Sequence, residues 1–369
     1  MENIVNLLED ARSEINQIDK EMAELFERRM NAVKKVAEYK IEHGIPVLDK
    51  SREKQLADKN SKYIHDDFIR RYYIGFLNDT MAQSRAMQEC LMSGMKIAYS
   101  GTEGAFAQIA AKKIFKTSEH IAYGDFKSAY EAVENGDCDC VVLPIENSFA
   151  GEVGKNIDLI FSGSLYINGI YELKIRQNLL GVEGASLKDI KYVISHPQAL
   201  EQCGNFIEKH GLVAIPEKNT AIAAKMVSEK KDIHTAAIAS KETADIYGLN
   251  IIEPEINESE LNTTRFAVLT RASSQPHKGG NTNFMIVFSV NNRAGALAEA
   301  LNVIGNYGFS MQILRSRSMP GLLWQYYFYS EIRGDVNTEQ SGKMLEELGK
   351  YCDKLRVVGT YGEHILLED

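Results

Sequence analysis

A chain of 369 residues is long enough for two or three domains, and its net charge of −9 disfavours a nucleic-acid partner. With 44% hydrophobic and 25% charged residues the composition is that of an ordinary globular protein, and without a run of eighteen apolar residues we expect no membrane partner. The five cysteines are scattered and lack metal-ligand spacing, so we expect reduced thiols, no metal and a cytoplasmic location.

The first 92 residues are predicted to be helical. Apolar residues recur at steps of three and four and form one stripe along a helix of about Val5–Glu42. At 1.5 Å per residue this helix would be roughly 55 Å long and would need partners along its length. Gly44–Pro46 ends it, a second helix follows Asp49 as its N-cap, and a third covers about Asp66–Met92. This arrangement predicts an intertwined helical dimer.

Polar residues interrupt the apolar faces of two of these helices. Arg12, Arg29 and Lys40 occupy stripe positions of the first helix, and Ser84 and Gln88 lie one turn apart on the inward face of the third. A charge that faces a bundle interior is costly unless it is paired. Either the long basic side chains extend to solvent at the rim, or they line an interior that binds a dianion.

Together with Asp49, Arg52 and Glu53, these residues resemble the all-helical chorismate mutases. Placing Ser84 and Gln88 in that pattern requires a small gap before the third helix, whereas an ungapped alignment selects Thr80 and Ser84. The resemblance implies the rearrangement of chorismate to prephenate. This unimolecular step requires a held conformer and stabilisation of charge on the breaking ether oxygen, but no nucleophile.

The resemblance also implies a role for each residue of the mutase pattern. It assigns the two carboxylates of chorismate to Arg29 and to Arg12 of the partner subunit, each binding bidentately. It assigns the ether oxygen to two donors, Lys40 and Gln88. Glu53 holds the ring hydroxyl and is supported by Asp49 and Arg52.

From residue 95 to residue 272 strand-like and helix-like segments alternate, which predicts an α/β domain with a mostly parallel sheet. The predicted strands are Lys96–Tyr99, Cys140–Ile145, Tyr192–Ser195, Ala236–Ala239 and Phe266–Leu269. The predicted helices include Phe126–Asn135, Ala199–His210, Ala221–Lys230 and Lys241–Tyr247.

Three strand ends in this region carry polar residues: Leu143–Ser148, Ser195–Ala199 and Asn262–Phe266. Convergent strand ends of an α/β domain are a common place for a ligand, so these predict one cleft for a small polar anion. In this order the three motifs resemble prephenate dehydratase over about residues 96–271. The resemblance implies two lobes with a cleft between them, and loss of water and carbon dioxide from prephenate to give phenylpyruvate.

Thr264 is the predicted catalytic residue of this cleft. A threonine hydroxyl is a poor acid, so it is expected to donate a hydrogen bond to the departing oxygen rather than to transfer a full proton. Arg265 is expected to bind a carboxylate or to orient the site. The other candidate substrate contacts are Asn147, Ser148, Ser195, Gln198, Thr220 and Phe266.

Four further residues of this region have open roles or depart from the family pattern. Glu146 is either a buried, paired structural residue or part of the site. His196 precedes a proline and is interpreted as a packing or turn residue rather than a base. Gln177 stands where many relatives carry histidine, and Asn219 stands where serine is usual. These departures affect the detail of the cleft and leave the Thr264 motif intact.

After a linker at Gln275–Gly280, residues 281–369 show the order β-α-β-β-α-β, which predicts a ferredoxin-like domain. Gly295–Leu297 at the start of its first helix, after Asn291–Arg293, resembles the ACT regulatory domain. The resemblance implies that phenylalanine binds there and inhibits the dehydratase, with Asn292, Gly295, Ala296 and Leu297 as allosteric contacts. Arg315–Ser318 stands where relatives carry Glu-Ser-Arg-Pro, so we expect inhibition that is weaker than in those relatives.

The sequence thus predicts a multidomain enzyme with an all-α mutase domain (1–92), an α/β dehydratase domain (95–272) and an α+β regulatory domain (281–369). It predicts a homodimer or higher homo-oligomer that uses no cofactor. One alternative is a dehydratase whose mutase domain is inactive. Another is a non-enzymatic amino-acid sensor, which the acidic balance and the inward basic residues disfavour.

Overall fold

The computed structural model describes residues 2–259, 261–273, 282–319 and 325–368, and it divides into two compact units, Met1–Met95 and Lys96–Asp369. The predicted linker, Gln275–Gly280, lies outside the described residues. In the part of the chain that the structure describes, none of the helices has the length and apolarity to cross a membrane. Because everything from Lys96 onwards forms one unit, the boundary between the second and third predicted domains stays a prediction.

The first unit is built from three helices. They are α1 (Glu2–His43), α2 (Lys50–Asn60) and α3 (Asp67–Ser93), with a short 3-10 turn at Ser61–Tyr63. The predicted cap of the second helix is confirmed, because the Asp49 carboxylate accepts a hydrogen bond from the Arg52 amide at 2.9 Å. Asp66 caps α3 in the same way, accepting from the amides of Phe68 and Ile69 at 2.7 and 3.1 Å.

The two halves of α1 have different surroundings. The second half packs against α3, and Ala37 is completely buried there. From residue 7 to residue 28 every side chain is exposed, including the predicted apolar stripe of Leu8, Ile15, Ile18, Met22 and Leu25. With 42 residues the helix is about 63 Å long. Half of it therefore presents an apolar surface that the described chain leaves uncovered.

The second unit begins with two α/β lobes. Its elements are β1 (Lys96–Ser100), α4 (Phe106–Ile114), β2 (Glu119–Tyr123), α5 (Phe126–Glu134), β3 (Cys140–Asn147), β4 (Gly151–Glu152), α6 (Gly154–Ser162), β5 (Tyr166–Lys174), β6 (Asn178–Gly181), β7 (Tyr192–Ser195), α7 (Pro197–Gln202), α8 (Gly204–Lys209), β8 (Val213–Pro216), α9 (Thr220–Lys230), β9 (Thr235–Ala239), α10 (Lys241–Tyr247), β10 (Asn250–Glu253) and β11 (Thr263–Thr270).

The sheets of both lobes are mixed, so the prediction of a mostly parallel sheet is wrong. In the first lobe the strand order is β5-β11-β3-β1-β2, and β11 runs antiparallel to both neighbours because the chain returns from the second lobe before forming it. The second lobe has the order β10-β6-β9-β7-β8, in which only β7, β8 and β9 pair in parallel. The chain crosses between the lobes after Lys174 and again before Thr263.

Two predicted elements differ from the observed ones. The strand predicted at Phe266–Leu269 begins at Thr263, so the polar residues before it are part of the strand. The helix predicted at Ala199–His210 is divided into α7 and α8, which meet at Cys203. The first difference matters for function because side chains alternate between the two faces of a strand.

The remaining elements form the predicted ferredoxin-like arrangement. They are β12 (Asn283–Ser289), α11 (Ala296–Asn306), β13 (Ser310–Ser318), β14 (Tyr326–Arg333), α12 (Glu339–Gly349), β15 (Lys354–Tyr361) and a final β16 (Ile365–Leu367). The strand order is β13-β14-β12-β15, and β15 joins the first lobe's sheet where Gly359 pairs with Ile167 of β5. A Cβ at Gly359 would lie 2.6 Å from the Ile167 carbonyl oxygen, so this close approach requires glycine.

Candidate active sites

The first site lies between α1 and α3 of the helical unit. The Arg29 guanidinium donates to the Ser84 hydroxyl and, at 3.5 Å, to the Thr80 carbonyl oxygen. Lys40, near the end of α1, donates to the Val47 carbonyl oxygen at 2.6 Å. Both cations are therefore held by neutral oxygen acceptors in the described chain, which leaves their positive charge available to an anionic ligand.

On α3 the predicted polar pair, Ser84 and Gln88, is buried, and so is Thr80, which belongs to the alternative pair. Ser84 and Gln88 are 6% and 7% exposed, and Thr80 is 8% exposed, so all three share the inward face. The Thr80 hydroxyl donates to the Phe76 carbonyl oxygen of its own helix. The Gln88 amide nitrogen donates to the Ser84 carbonyl oxygen at 3.2 Å, while its amide oxygen is buried without a hydrogen-bond partner among the described residues. The choice of Ser84 and Gln88 over Thr80 and Ser84 therefore stays a prediction.

Sequence reasoning missed one basic residue of this site. The guanidinium of Arg85 on α3 forms an ion pair with the Glu53 carboxylate of α2, and both side chains are about 30% exposed. The two residues are 32 positions apart in the chain, so no local pattern links them. Asp49 acts through its helix cap, whereas the side chain of Arg52 is exposed. Arg12 lies on the exposed half of α1 and pairs only weakly, with Glu9 at 2.9 Å.

The second site is a cavity of about 520 Å³ between the two lobes of the second unit. Five of the predicted residues line it: Asn147, Gln198, Thr220, Thr264 and Phe266. The three strand ends singled out in the sequence therefore do converge on one cleft. The cavity is also lined by His196, which is predicted to be a packing or turn residue, and by Gln177 and Asn219, which depart from the family pattern. Sequence reasoning missed other lining residues, among them Glu152, Lys155 and Gln202.

The Thr264 hydroxyl is oriented by Asn147. The Asn147 amide nitrogen donates to Thr264 Oγ1 at 2.9 Å and to Asn262 Oδ1 at 2.9 Å. Its amide oxygen accepts from the backbone amides of Phe149 and Ala150 at 3.1 and 2.9 Å, which fixes the orientation of the amide group. Because Thr264 Oγ1 accepts this bond, its own proton is free to be donated into the cleft.

The N-termini of four helices border the same cavity. Residues of the first turn or the cap line it from α4 (Ala105–Ala107), α6 (Val153–Lys155), α7 (His196, Gln198 and Ala199) and α9 (Asn219 and Thr220). Helix N-termini carry partial positive charge and unpaired backbone amides, and both stabilise anions. These N-termini therefore contribute positive potential to the cleft in addition to its basic side chains.

Three predicted substrate contacts do not line the cavity. The Ser195 hydroxyl is completely buried and donates to the Ile238 carbonyl oxygen, and the Ser148 hydroxyl donates to the Leu261 carbonyl oxygen. Arg265 lies between Thr264 and Phe266 on β11, so strand alternation turns its side chain to the opposite face of the sheet. The structure therefore gives no support for a direct substrate contact by these three residues, and that role stays a prediction.

Arg265 instead joins the strands on either side of β11. Its guanidinium donates to Glu172 of β5 at 2.9 Å and to Glu146 of β3 at 3.1 Å. Hydrogen bonding and the charges of these carboxylates raise the pKa of Arg265 despite its burial. These contacts fit the second of its two predicted roles, orientation of the site, which stays a prediction. Glu146 is paired with both Arg265 and Arg315, as its predicted structural role requires.

A second cavity, of about 730 Å³, lies beside α11 in the C-terminal part of this unit. Among the predicted allosteric contacts, Asn292, Ala296 and Leu297 line it. Gly295 does not, and its φ of +83° identifies a conformational role at the start of α11. The lining also includes Asp353, and it includes Phe161 from α6 of the first lobe.

Helix α6 therefore borders both of these cavities, with Lys155 at one end and Phe161 at the other. Between them, Asp158 accepts hydrogen bonds from Arg317 of β13 at 3.0 Å and from the Tyr327 hydroxyl of β14 at 2.6 Å. Arg317 also pairs with Glu152 in the cleft lining, and these contacts raise the pKa of the Arg317 guanidinium. The ferredoxin-like strands thus contact the lining of the cleft directly.

Two family models match the chain. Residues 11–89 match chorismate mutase type II, and residues 97–274 match prephenate dehydratase. The bifunctional chorismate mutase/prephenate dehydratase of Neisseria gonorrhoeae is 31% identical over 375 residues, covering 99% of both chains. The chloroplastic arogenate dehydratase/prephenate dehydratase 2 of Arabidopsis thaliana is 35% identical over 289 residues, 75% of this chain and 76% of that protein.

A solved structure has the same fold as the second unit. It is the prephenate dehydratase of Arthrobacter aurescens in complex with L-Phe, which is 26% identical, has a TM-score of 0.67, and covers 73% of this chain and 90% of that one. A helical unit with inward cations and an α/β cleft that ends on a Thr-Arg-Phe strand define a two-site enzyme for small anionic substrates. The chain belongs to the bifunctional chorismate mutase/prephenate dehydratase family.

Proposed function

We propose that the chain carries out both steps of this family, from chorismate through prephenate to phenylpyruvate, on the route to phenylalanine. The observation that supports the second step most strongly is the Asn147–Thr264 hydrogen bond at the cleft, which leaves the Thr264 proton free. The first step is supported by the cationic interior of the helical unit around Arg29.

In the dehydratase step, the bond between the ring and its carboxyl group breaks, and its electron pair completes the aromatic ring. The ring carbon at the opposite position releases its hydroxyl group, which takes up a proton and leaves as water, while carbon dioxide departs. Thr264 donates a hydrogen bond to this oxygen as negative charge develops on it. The helix N-termini of α4, α6 and α9 stabilise the dianionic substrate.

In the mutase step, the cations act by charge and position alone. The Arg29 guanidinium, which donates to the Ser84 hydroxyl and the Thr80 carbonyl oxygen, binds one carboxylate of chorismate. Lys40 and Gln88 donate to the ether oxygen on which charge develops. Glu53 accepts a hydrogen bond from the ring hydroxyl, and Arg85 holds Glu53 in place through their ion pair.

The second carboxylate is bound by Arg12 of a partner subunit. The exposed apolar half of α1 supports this assignment, because a stripe of five large apolar residues is expected to be covered by another surface. A second copy that packs its own α1 along this stripe would bury it by an isologous interface. The homodimer is therefore part of the mutase site and not only a means of assembly.

The ferredoxin-like part acts as an ACT regulatory domain that binds phenylalanine in the 730 Å³ cavity. Leu297 and Phe161 provide apolar surface for an aromatic ring, and Asp353 provides a carboxylate for the ammonium group. Binding there alters the dehydratase cleft through α6, which borders both cavities, and through Arg317, which holds Glu152 and Asp158. These contacts supply a physical connection between effector and substrate sites.

The Arg315–Ser318 motif supports a second connection between the phenylalanine cavity and the dehydratase cleft. Arg315 of β13, which stands where relatives carry glutamate, donates to Glu146 at 3.0 Å, and Glu146 pairs with Arg265 beside Thr264. In this chain the cation thus contacts the dehydratase strand that carries Asn147. The sequence motif predicts inhibition weaker than in those relatives, whereas the Arg315–Glu146 contact gives residue 315 a direct part in coupling phenylalanine binding to the dehydratase cleft.

The substitution Arg315→Glu distinguishes the two interpretations. It places a carboxylate against Glu146, so we expect phenylalanine to bind with nearly unchanged affinity but to inhibit the dehydratase several-fold less. Calorimetric titration with phenylalanine gives the affinity, and an assay with supplied prephenate gives the inhibition. Lys343→Glu, on an exposed face of α12, is the matched control.

Two outcomes would contradict these proposals. Stronger inhibition in the Arg315→Glu variant would show that a glutamate at this position, as in relatives, strengthens the coupling and that the Arg315–Glu146 contact does not. A wild-type protein that forms no phenylpyruvate from supplied prephenate would contradict the dehydratase assignment itself.

A further inference from the structure

The formal charge of the dehydratase cleft comes from three side chains. Among the described residues that line the cavity, only Glu152, Lys155 and His196 are ionisable near neutral pH. A substrate with two carboxylates must be balanced by these groups together with the surrounding helix N-termini.

Two of the three groups supply no positive charge for a substrate. Glu152 is an anion that shares the Arg317 guanidinium with Asp158 and accepts a further hydrogen bond from the Tyr329 hydroxyl at 2.9 Å. Burial lowers the pKa of His196, so its imidazole is neutral at pH 7, and its Nδ1 accepts from the Gln198 amide at 3.3 Å. Among the described lining residues, Lys155 is therefore the cationic side chain that is available to an anionic substrate.

Lys155 has the properties expected of a substrate ligand. It is the second residue of α6, so its ammonium group adds to the partial positive charge of that helix N-terminus. Its side chain is exposed, it lines the cavity, and within the described ranges neither a hydrogen bond nor an ion pair engages it. A long flexible cation without a protein partner can close onto a bound anion.

We propose that Lys155 binds the side-chain carboxylate of prephenate and so sets the affinity of the dehydratase for its substrate. The inference rests on the proposed dehydratase function. The ring carboxylate leaves as neutral carbon dioxide, and a cation bound to it would stabilise the ground state against that loss. The side-chain carboxylate keeps its charge throughout the reaction, so a cation that binds it stabilises the substrate and the transition state equally.

The test compares Lys155→Met and Lys155→Arg with wild type, using steady-state kinetics with prephenate. Because Lys155 would stabilise the bound substrate and the transition state equally, Lys155→Met should raise KM roughly tenfold with little change in kcat. Lys155→Arg should retain most of the affinity. Lys188→Met, which removes an exposed lysine that does not line the cleft, should match wild type and so exclude a general effect of net charge.

Inhibition by phenylpyruvate identifies which carboxylate is bound. The product retains the side-chain carboxylate alone, so its inhibition constant should rise with KM in Lys155→Met. An unchanged inhibition constant beside a raised KM would assign Lys155 to the ring carboxylate and overturn the proposal, as would an unchanged KM. A wild-type protein inactive on prephenate would instead refute the underlying dehydratase function.

Discussion

Replacing Thr264 with alanine is expected to lower the dehydratase kcat by roughly 100- to 1,000-fold while KM for prephenate changes little. The hydrogen bond from Thr264 to the departing oxygen strengthens as charge develops in the transition state, so its loss affects the rate more than the binding. The Asn147 amide would lose its hydroxyl acceptor but would keep its bond to Asn262 at 2.9 Å, so the cleft should keep its shape. Steady-state kinetics with supplied prephenate measure both constants.

Two further variants make this result specific. Thr264→Ser keeps the hydroxyl and should retain part of the rate. Thr270→Ala removes a hydroxyl from the other end of β11, where it donates to the Ala272 carbonyl oxygen, and it should leave kcat near the wild-type value. A large rise in KM with an unchanged kcat in Thr264→Ala would make Thr264 a binding residue and contradict the mechanism.

Replacing Arg29 with alanine is expected to reduce chorismate turnover by about two to four orders of magnitude. The substitution removes a charged contact to a dianion in a closed site, worth roughly 3–5 kcal/mol. The turnover of supplied prephenate should be unaffected, because Arg29 lies in the other compact unit. Arg28→Ala, which removes the neighbouring exposed arginine, is the matched control. Parallel loss of both activities in Arg29→Ala would contradict the assignment of separate sites.

Mixing variants tests whether Arg12 comes from the partner subunit. Arg12→Ala and Arg29→Ala should each be inactive as mutases, but in a mixed dimer one of the two sites would combine an intact Arg12 with an intact Arg29. Random reassociation yields mixed dimers in half of the population, so about a quarter of the wild-type mutase activity should return. No recovery after verified subunit exchange would place both arginines in one chain.

The sequence located the dehydratase cleft but not the direction of each side chain. The three motifs converge because each follows or enters a strand, and that much is local information. The two roles predicted for Arg265, a carboxylate contact or orientation of the site, stayed open because the predicted strand begins at Phe266 and gives the residues before it no direction. With β11 beginning at Thr263, alternation alone separates Thr264 and Phe266 from Arg265. Strand length, which neighbouring strands help to determine, therefore sets the direction of the Arg265 side chain.

Other contacts depend on residues that are distant in the chain. Ser195 donates to Ile238 across a strand pair, and Arg85 meets Glu53 across two helices, so neither contact has a signature in its own segment. The link from Arg315 to Glu146 spans 169 positions and exists only because β13 lies against the end of β3. By contrast, the Asp49 cap was predictable because its donor is three residues away.

Incubation of the purified wild-type protein with chorismate, with prephenate and phenylpyruvate measured separately over time, tests the central claim most directly. The account predicts that chorismate disappears, that prephenate forms from it, and that phenylpyruvate accumulates as the final product. Chorismate that is not consumed, while supplied prephenate is still converted, would show that the helical unit has no mutase activity. Prephenate that accumulates without phenylpyruvate would contradict the assignment of the cleft around Thr264.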